Sequence, residues 1–258
     1  MVPMRLPCRP VVLVFSGLDP SGGAGLAADI LSIAAQGAHA LPVITALTVQ
    51  DNDRVFGVEA VAPELLRRQA LALIDKMAIH AVKIGIPGSA ANAAVIAQLI
   101  AQLRQARPDL PVVLDPVLAS GHGDVLSRDD AVLALAPLLP VTSVIVPNGP
   151  EAAALGGASR LLAQGCGHVL VTGGHGEGET VVNRWFDAVG GEREWRWPRL
   201  PGAFHGSGCT LASAIAARLA QGVPMQDALD GAQSYCHAAL SHAYAIAPGQ
   251  LMPQRFIQ

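Results

Sequence analysis

The amino-acid sequence predicts an α/β fold in which helices cover a mostly parallel central sheet. Short, continuous apolar runs rich in β-branched residues recur along the first two thirds of the chain, which is typical of strands buried on both faces. Alanine- and leucine-rich stretches of helical length separate these runs, and such alternation favours a doubly wound architecture. No repeat or linker divides the 258 residues, so we expect one domain over residues 1–258.

The individual elements follow from these patterns. The apolar runs that predict strands occupy residues 11–15, 43–47, 82–84, 112–114, 144–146 and 169–171. The stretches that predict helices occupy residues 26–36, 63–77, 90–106, 127–139, 150–155, 209–221 and 224–244. Ser127 followed by Asp130 resembles a capping box, and Pro63 stands where a first helical turn tolerates proline. Residues 180–187 and 192–198, which contain all three tryptophans, predict a hairpin or an antiparallel edge.

Composition excludes several classes of function. A hydrophobic share of 51% excludes disorder, and a net charge of -3 gives no support to nucleic-acid binding. The long uncharged windows, residues 30–50 and 231–254, are interrupted by glutamine, histidine and proline, so neither predicts a membrane span. The four cysteines show no CxxC spacing, and the N-terminal apolar run is too short for a signal peptide. We expect a reduced, cytoplasmic protein with neither nucleic acid nor membrane as a partner.

The loop after the first predicted strand is rich in glycine, and parallel sheets bind ligands at the edge where such loops gather. This glycine-rich loop, residues 16–25, contains four glycines and precedes a helix, so its backbone can approach a ligand closely. An ordinary flexible turn is the alternative. The pattern GxGxxA from Gly23 to Ala28 also permits a Rossmann loop, with Asp51 or Asp53 as the ribose-binding acid. Neither lysine of the chain follows a glycine loop, which excludes a Walker A motif.

Polar residues follow three further predicted strands. Asp115 ends one strand, where an acid can hold Mg²⁺, although a turn or capping aspartate is an equally good interpretation. Asn148 and Glu151 stand three residues apart at a helix start, where capping is favoured and contact with a metal–phosphate group is the alternative. Thr172 and Gly174 lie in a loop that offers bare backbone after the last parallel strand.

The most informative loop opens the helix predicted after residue 208. Gly206, Ser207, Gly208 and Cys209 bring successive backbone N–H groups to a helix N-terminus, which predicts an anion site. We call these four residues the anion loop. The helix dipole is expected to lower the pKa of the Cys209 thiol there, and a small buried cysteine is the alternative interpretation.

Several motifs occur together in a fixed order along the chain. They are DPSGGAGLAAD (19–29), ALTVQ (46–50), KIG (83–85), DPV (115–117), Asn148 with Glu151, and the glycine loops at 173–175 and 206–209. In this combination the chain resembles the hydroxymethylpyrimidine/phosphomethylpyrimidine kinases of thiamine biosynthesis, in the ribokinase-like superfamily. The resemblance extends from about residue 11 to residue 221. It implies a three-layer α/β/α fold and MgATP-dependent phosphorylation of 4-amino-5-hydroxymethyl-2-methylpyrimidine and then of its monophosphate.

The resemblance also implies roles for individual residues. The positions around the pyrimidine are matched by Gly17, Asp29, Gln50 and Val117, and Lys83 ends the strand beside them. The positions that bind Mg²⁺ are matched by Asp115 and Glu151, and those near the ATP phosphates by Asn148, Thr172 and Gly174. The anion hole over the transferred phosphoryl group is formed by Gly206, Ser207, Gly208 and Cys209, with the Cys209 thiolate as the hypothetical base. ATP and Mg²⁺ are the expected cofactors, and a homodimer is the expected assembly.

Some positions depart from the family pattern and leave other functions open. Ile86-Pro87 replaces Met-Leu at the pyrimidine, Gly121-His122 replaces a segment that often contains lysine or threonine, and Thr172 replaces a frequent lysine. A pyridoxal or pyridoxine kinase on the same fold is therefore the nearest alternative. A protein that binds the ligand without transferring phosphate and a Rossmann-type NAD(P) oxidoreductase are the others. It also stays open whether one or both pyrimidine phosphorylations are catalysed.

Overall fold

A central sheet of nine strands organises the protein. The computed structural model describes residues 8–119 and 131–257. The strands are β1 Val11–Leu18, β2 His39–Gln50, β3 Val55–Ala60, β4 Ala81–Ile84, β5 Val112–Leu114, β6 Val144–Ile145, β7 His168–Val171, β8 Thr180–Asp187 and β9 Glu192–Pro198. Their order across the sheet is β3-β2-β1-β4-β5-β6-β7-β8-β9. β1 is parallel to β2 and β4, and parallel pairing continues through β7, whereas β3, β8 and β9 are antiparallel.

Helices pack on both faces of this sheet. They are α1 Gly25–Ala35, α2 Pro63–Ile74, α3 Ala90–Ala106, α4 Ala131–Leu135, α5 Gly149–Ala154, α6 Ala158–Ala163, α7 Ser207–Ala220 and α8 Met225–Ser241. On β1, Val12 and Val14 point into one core, and Leu13 and Phe15 point into the other. The first core contains side chains of α1, α7 and α8, and the second contains side chains of α2, α3, α4 and α6. The predicted α/β/α arrangement is therefore confirmed.

Most of the predicted elements are present. Five of the six apolar runs lie wholly within strands of the sheet, and the run 144–146 extends one residue beyond β6. The β8–β9 hairpin has the predicted bounds. β3 and α6 are not predicted by the sequence pattern. The pattern does not indicate β3 because β2 extends beyond its apolar run, as far as Gln50. The two strands then pair across a four-residue turn. The predicted cap at Ser127 and Asp130 lies outside the described residues.

The order of the strands determines where loops can form a site. β1 lies between β2 and β4, α1 covers one face of the sheet, and α3 covers the other. The chain therefore changes direction across the sheet at β1, and the carboxyl ends of β1 and β4 open a crevice there. Within the described part of the chain, every helix is too short or too polar to span a bilayer.

Candidate active site

A buried lysine lies at the centre of this crevice. Lys83 on β4 is completely buried, and its Nζ lies 2.8 Å and 3.0 Å from the two carboxylate oxygens of Asp29. Ser213 on α7 donates a hydrogen bond of 2.7 Å to Asp29 Oδ1. Burial alone would lower the pKa of Lys83, but the charge and hydrogen bond of Asp29, together with the charges of Cys209 and Asp115, outweigh it and the pKa is raised. Lys83 and Asp29 thus form a fully paired buried ion pair.

Asp115 lies on the other side of Lys83 and is incompletely paired. Its Oδ2 is 4.0 Å from Lys83 Nζ and has no hydrogen-bond partner, although it is buried. Burial raises the pKa of Asp115, and the nearby Lys83 charge only partly offsets this. Since buried polar atoms are nearly always paired in a folded protein, an orphaned carboxylate oxygen here indicates a position that a ligand or cation completes.

The anion loop has the conformation that its glycines predict. Gly206 adopts a left-handed φ of 70° before the first turn of α7. A Cβ added at Gly206 would lie 2.1 Å from the Gly23 carbonyl oxygen, so only glycine fits between the two loops. The first backbone bond of the helix runs from Thr210 N to Gly206 O. The N–H groups of the three residues between them therefore have no acceptor within the helix.

The anion loop faces Asp115. A Cβ added at Gly208 would lie 3.5 Å from Asp115 Oδ1, so the helix start and the carboxylate are in near contact. Both border one cavity of about 360 Å³, here called the edge cavity. N–H groups on one wall and a carboxylate on the other suit a ligand that carries an anion together with a cation.

Asp19 holds the glycine-rich loop in place. Its carboxylate accepts hydrogen bonds from Ser21 N (2.8 Å), Ser21 Oγ (2.9 Å) and Ala24 N (2.7 Å). His205 Nε2 lies 2.8 Å from Asp19 Oδ2. Burial raises the pKa of Asp19, but hydrogen bonds from His205, Gln50, Ser21 and Ala24 outweigh it and lower the pKa to about 2. Asp19 is thus a carboxylate that ties the glycine-rich loop to the residue before the anion loop.

Asn148 and Glu151 form the capping box at the start of α5. Asn148 Oδ1 accepts from Glu151 N at 2.9 Å, and Glu151 Oε2 accepts from Asn148 N at 2.9 Å. The capping interpretation is therefore confirmed. Both residues also line the edge cavity. Burial, followed by the charge of Asp115, raises the pKa of Glu151 to about 7.

The donor set at this end of the edge cavity suits Mg²⁺. Mg²⁺ usually binds through one or two carboxylates together with substrate phosphates and water. Asp115 and Glu151 supply two carboxylates whose mutual repulsion a cation would relieve. Among residues 8–119 and 131–257, no group of three His, Cys, Asp or Glu side chains could hold a metal. The two acids therefore fit a cation that arrives with phosphate.

The predicted lowering of the Cys209 pKa is wrong. Cys209 is 9% exposed, and burial raises the pKa of its thiol to about 12, with Lys83 opposing and Asp115 reinforcing the change. Desolvation of a thiolate at this position outweighs the helix dipole. At neutral pH the side chain is a neutral thiol, so the anion loop offers the backbone N–H of Cys209 rather than a thiolate.

Two of the four predicted pyrimidine contacts line the edge cavity. Gln50 and Val117 lie on its wall. Asp29 does not, because it is fully buried in its pair with Lys83. Gly17 is buried beneath Ile86, whose Cδ1 would lie 2.6 Å from a Cβ added at Gly17. Both residues are buried in this structure, and their contact with the pyrimidine stays a prediction.

The predicted phosphate residues border the same cavity. Asn148, Thr172 and Gly174 line it, and Asn148 pairs with Thr172 through an isolated parallel bridge. Strands β6 and β7 position these residues because their carboxyl ends are adjacent. Gly121-His122, the other departure near the phosphates, lies outside the described residues.

A second cavity of about 420 Å³ adjoins the edge cavity. We call it the aromatic cavity because Trp197, Phe204 and His237 line it, and Trp197 stacks on His237 with ring centroids 5.1 Å apart. Gly174 and Ser207 border both cavities. One bipartite ligand can therefore extend from the aromatic rings to the anion loop.

Side-chain amides hold the wall between the cavities. Asn183 accepts a hydrogen bond from Gly173 N at 2.9 Å and donates one to Gln233 Oε1 at 2.8 Å. Sequence reasoning missed these two residues, and it assigned no role to Asp19, which stands in a quoted motif, or to His205, which directly precedes the anion loop. The available signal was a polar side chain within each glycine loop, next to backbone that needs a fixed conformation.

Comparison with known proteins places these features in a family context. Residues 19–253 match the family described as phosphomethylpyrimidine kinase. The chain is 37% identical to the hydroxymethylpyrimidine/phosphomethylpyrimidine kinase of Rhizobium meliloti over 260 aligned positions, covering 93% of this chain and 94% of the relative.

Solved structures show the same architecture. A pyridoxal kinase from Bacillus subtilis, solved as an ADP complex, superposes with a TM-score of 0.85 at 25% identity, covering 96% of this chain and 97% of the other. A phosphomethylpyrimidine kinase from Clostridium difficile superposes with a TM-score of 0.75 at 30% identity, covering 89% and 99%. The ribokinase-like fold predicted from the motifs is therefore confirmed.

Proposed function

The chain belongs to the phosphomethylpyrimidine kinase family, and we propose that it uses ATP to phosphorylate 4-amino-5-hydroxymethyl-2-methylpyrimidine and then its monophosphate. Relatives at 33–37% identity that carry both activities in their names support this proposal. The observation that carries it is the near contact of Gly208 with Asp115. Helix N–H groups that lack an acceptor within the helix face an incompletely paired carboxylate there, an arrangement that suits phosphoryl transfer from MgATP.

We assign the two cavities to the two substrates. The pyrimidine lies in the edge cavity, where Gln50 offers an amide to a ring edge that carries both donors and acceptors. The nucleotide base lies in the aromatic cavity, where Trp197 and His237 offer ring faces. Ser207 and Gly174 border both spaces, so the transferred phosphoryl group lies between them.

The protein groups act mainly by positioning and by neutralising charge. The N–H groups of Ser207, Gly208 and Cys209 point at the place where negative charge spreads in the transition state. Asp115 and Glu151 would hold Mg²⁺, which neutralises phosphate charge when it is bound. Asn148, Thr172 and Gly174 lie beside the phosphates.

A thiolate base is not part of this proposal. The transferred group passes through a loose transition state in which little bonding to the incoming oxygen has developed, so positioning contributes more than proton removal. The neutral Cys209 thiol is buried and lies within electrostatic range of Lys83 and Asp115. Its contribution to transfer is the backbone N–H.

The test is ADP release from MgATP with hydroxymethylpyrimidine, its monophosphate and pyridoxal offered in parallel. Turnover of both pyrimidines is the expected result, and turnover of the first alone would reduce the proposal to a single phosphorylation. Gly208→Ala is expected to abolish most turnover, because its methyl group would enter the space beside Asp115. Gly57→Ala is the matched control, since a Cβ there meets only ordinary contacts with Val49 on β2.

Pyridoxal is the competing acceptor for a specific reason. Ile86 replaces the methionine expected at the pyrimidine and packs over Gly17, which changes the shape of the pocket floor. The pyridoxal kinase of Bacillus subtilis also shares the fold over nearly the whole chain. Turnover of pyridoxal without turnover of either pyrimidine would transfer the assignment to that vitamin.

The homodimer and the cytoplasmic location stay predictions. Light scattering coupled to size-exclusion chromatography tests the first, with an expected mass of about twice the 26.5 kDa of one chain. Fractionation of cells that express the native chain tests the second.

A further inference from the structure

A single arginine in the C-terminal tail reaches into the back of the active site. Arg255 is 4% exposed although it lies three residues from the end of the 258-residue chain. Its Nη2 donates a hydrogen bond of 2.5 Å to the Gly23 carbonyl oxygen, and its Nε donates one of 3.1 Å to Thr210 Oγ1. One guanidinium group therefore joins the glycine-rich loop to the start of α7.

The contact with Thr210 continues to the anion loop. Thr210 is completely buried, and its Oγ1 donates a hydrogen bond of 2.9 Å to the Gly206 carbonyl oxygen. The N–H of Ser207 belongs to the same peptide group and points away from that carbonyl. Fixing the Gly206 carbonyl therefore fixes the direction of the first N–H in the anion loop.

The contact with Gly23 acts on the same peptide from the other side. The Gly23 carbonyl oxygen lies directly against Gly206, because a Cβ added at Gly206 would be 2.1 Å away. Arg255 thus holds the surface on which Gly206 rests, as well as the hydroxyl that binds its carbonyl. Both contacts restrict the left-handed Gly206.

The tail that carries Arg255 is itself fixed. Tyr235 on α8 donates a hydrogen bond of 2.8 Å to the Arg255 carbonyl oxygen, and Gln254 N donates one of 2.9 Å to Ala239 O. His205 N donates a hydrogen bond of 2.9 Å to Leu251 O, next to the anion loop. The guanidinium is therefore positioned before any substrate binds.

We propose that Arg255 is a positioning residue for phosphoryl transfer, acting through Thr210 and Gly23 to aim the N–H groups of the anion loop. The family match ends at residue 253, so this role falls outside the matched segment. The proposal rests on the proposed function and adds a residue to it. Removing Arg255 lowers kcat while the affinity for ATP changes little, because the arginine touches neither cavity.

The first test compares two arginines that make similar bonds. Arg104 donates to one carbonyl oxygen, of Leu110, and one hydroxyl, of Ser143, on the other face of the sheet. Arg255→Ala is expected to lower kcat about 30-fold with the KM for ATP within about threefold. Arg104→Ala is expected to lower thermal stability and leave kcat unchanged. Added guanidinium ion is expected to restore part of the kcat of Arg255→Ala, and equal kcat losses in both variants would overturn the proposal.

A double-mutant cycle tests the route through Thr210. Thr210→Val keeps the side-chain shape but removes the hydroxyl, so it is expected to lower kcat about tenfold. With Arg255→Ala in the same chain, the combined loss is expected to stay close to that of Arg255→Ala alone, because both changes act on one relay. Fully multiplied losses would show independent effects and overturn the relay.

Failure of this inference is distinguishable from failure of the proposed function. Wild-type turnover of the pyrimidines decides the proposed function, whereas the ratio of variant to wild-type kcat decides the role of Arg255. Calorimetric binding of inorganic phosphate gives a readout that needs no turnover. Binding is expected to weaken in Arg255→Ala and to stay unchanged in Arg104→Ala, and equal affinities in the two variants would contradict the proposal.

Discussion

Asp29 and Asp115 lie on opposite sides of the same buried lysine, yet their surroundings differ. Both carboxylate oxygens of Asp29 lie within 3.0 Å of Lys83 Nζ, and Ser213 adds a hydrogen bond. Asp115 is 4.0 Å from the same Nζ, keeps one orphaned oxygen and borders the edge cavity. A completely paired carboxylate stabilises the fold, whereas an incompletely paired one at a cavity is available to a ligand.

The different partners of Asp29 and Asp115 show that burial alone does not identify a functional acid. Both residues are at most 4% exposed, and both belong to motifs typical of the family. The distinction lies in the partners: Asp29 has its cation and its hydrogen bond, whereas Asp115 borders the edge cavity with a raised pKa and one oxygen that has no hydrogen-bond partner. Substitutions at the two positions should therefore affect different properties of the protein.

The largest expected effect is the loss of turnover in Asp115→Asn. The amide keeps the shape but removes the charge that would hold Mg²⁺, which costs about 10³-fold in kcat. Since Lys83 keeps Asp29 as its partner, the free energy of unfolding should change by less than about 1 kcal/mol. Steady-state kinetics and urea unfolding of the same preparation measure both. A large loss of stability with kcat retained would reverse the comparison.

The complementary change, Asp29→Asn, should damage the fold first. It leaves the completely buried Lys83 without its close counter-charge, and such a loss costs about 3–5 kcal/mol in the free energy of unfolding. Urea unfolding measures this loss. In the double variant with Lys83→Met, part of the stability should return because no uncompensated charge remains. If the double variant is as unstable as Asp29→Asn, the ion pair is not what stabilises this region.

The anion loop and the fold could be predicted from the sequence because they depend on local patterns. Continuous apolar runs identify parallel strands, and Gly206 and Gly208 before a helix identify an anion site without knowledge of distant contacts. The capping box of Asn148 and Glu151 is local in the same sense and was confirmed. Each of these inferences uses residues within one turn or one strand of each other.

The features that the sequence did not reveal depend on contacts between distant segments. Asp29 pairs with Lys83, which is 54 residues away in sequence. The Cys209 pKa is raised because neighbouring elements bury the thiol, which the helix-start pattern does not reveal. Arg255 lies 232 residues from Gly23, and a single arginine near the C-terminus has no periodicity or spacing that indicates such a contact.

A smaller effect on stability is expected at Glu151, the acid that would hold Mg²⁺ together with Asp115. Its pKa is about 7 in the folded protein, against a usual value of 4.5. In metal-free protein, the folded state binds the Glu151 proton more tightly than the unfolded chain does. The stabilisation that this proton gives is therefore complete below pH 4.5 and is lost as the pH rises to 7. The free energy of unfolding should fall by at most about 3 kcal/mol over that range.

Urea unfolding at several pH values in the presence of EDTA measures this fall. Glu151→Gln is the matched control, because an amide oxygen can still accept the Asn148 N–H of the capping box while the titration is removed. The difference between wild type and Glu151→Gln should carry the pH dependence. If both proteins show the same dependence, the proton lies on another group of the site.

The smallest effect on turnover is expected at Cys209, whose thiol pKa is influenced by burial and by the charges of Lys83, Asp115 and Asp29. Since its thiol has a pKa of about 12, a thiolate is almost absent at neutral pH, and Cys209→Ala should lower kcat by less than about tenfold. Cys209→Ser is the control for side-chain packing, and both variants keep the backbone N–H. A loss of about 10²-fold or more in Cys209→Ala, with Cys209→Ser retaining activity, would instead give the side chain a direct part in transfer, through a polar hydrogen atom beside Asp115.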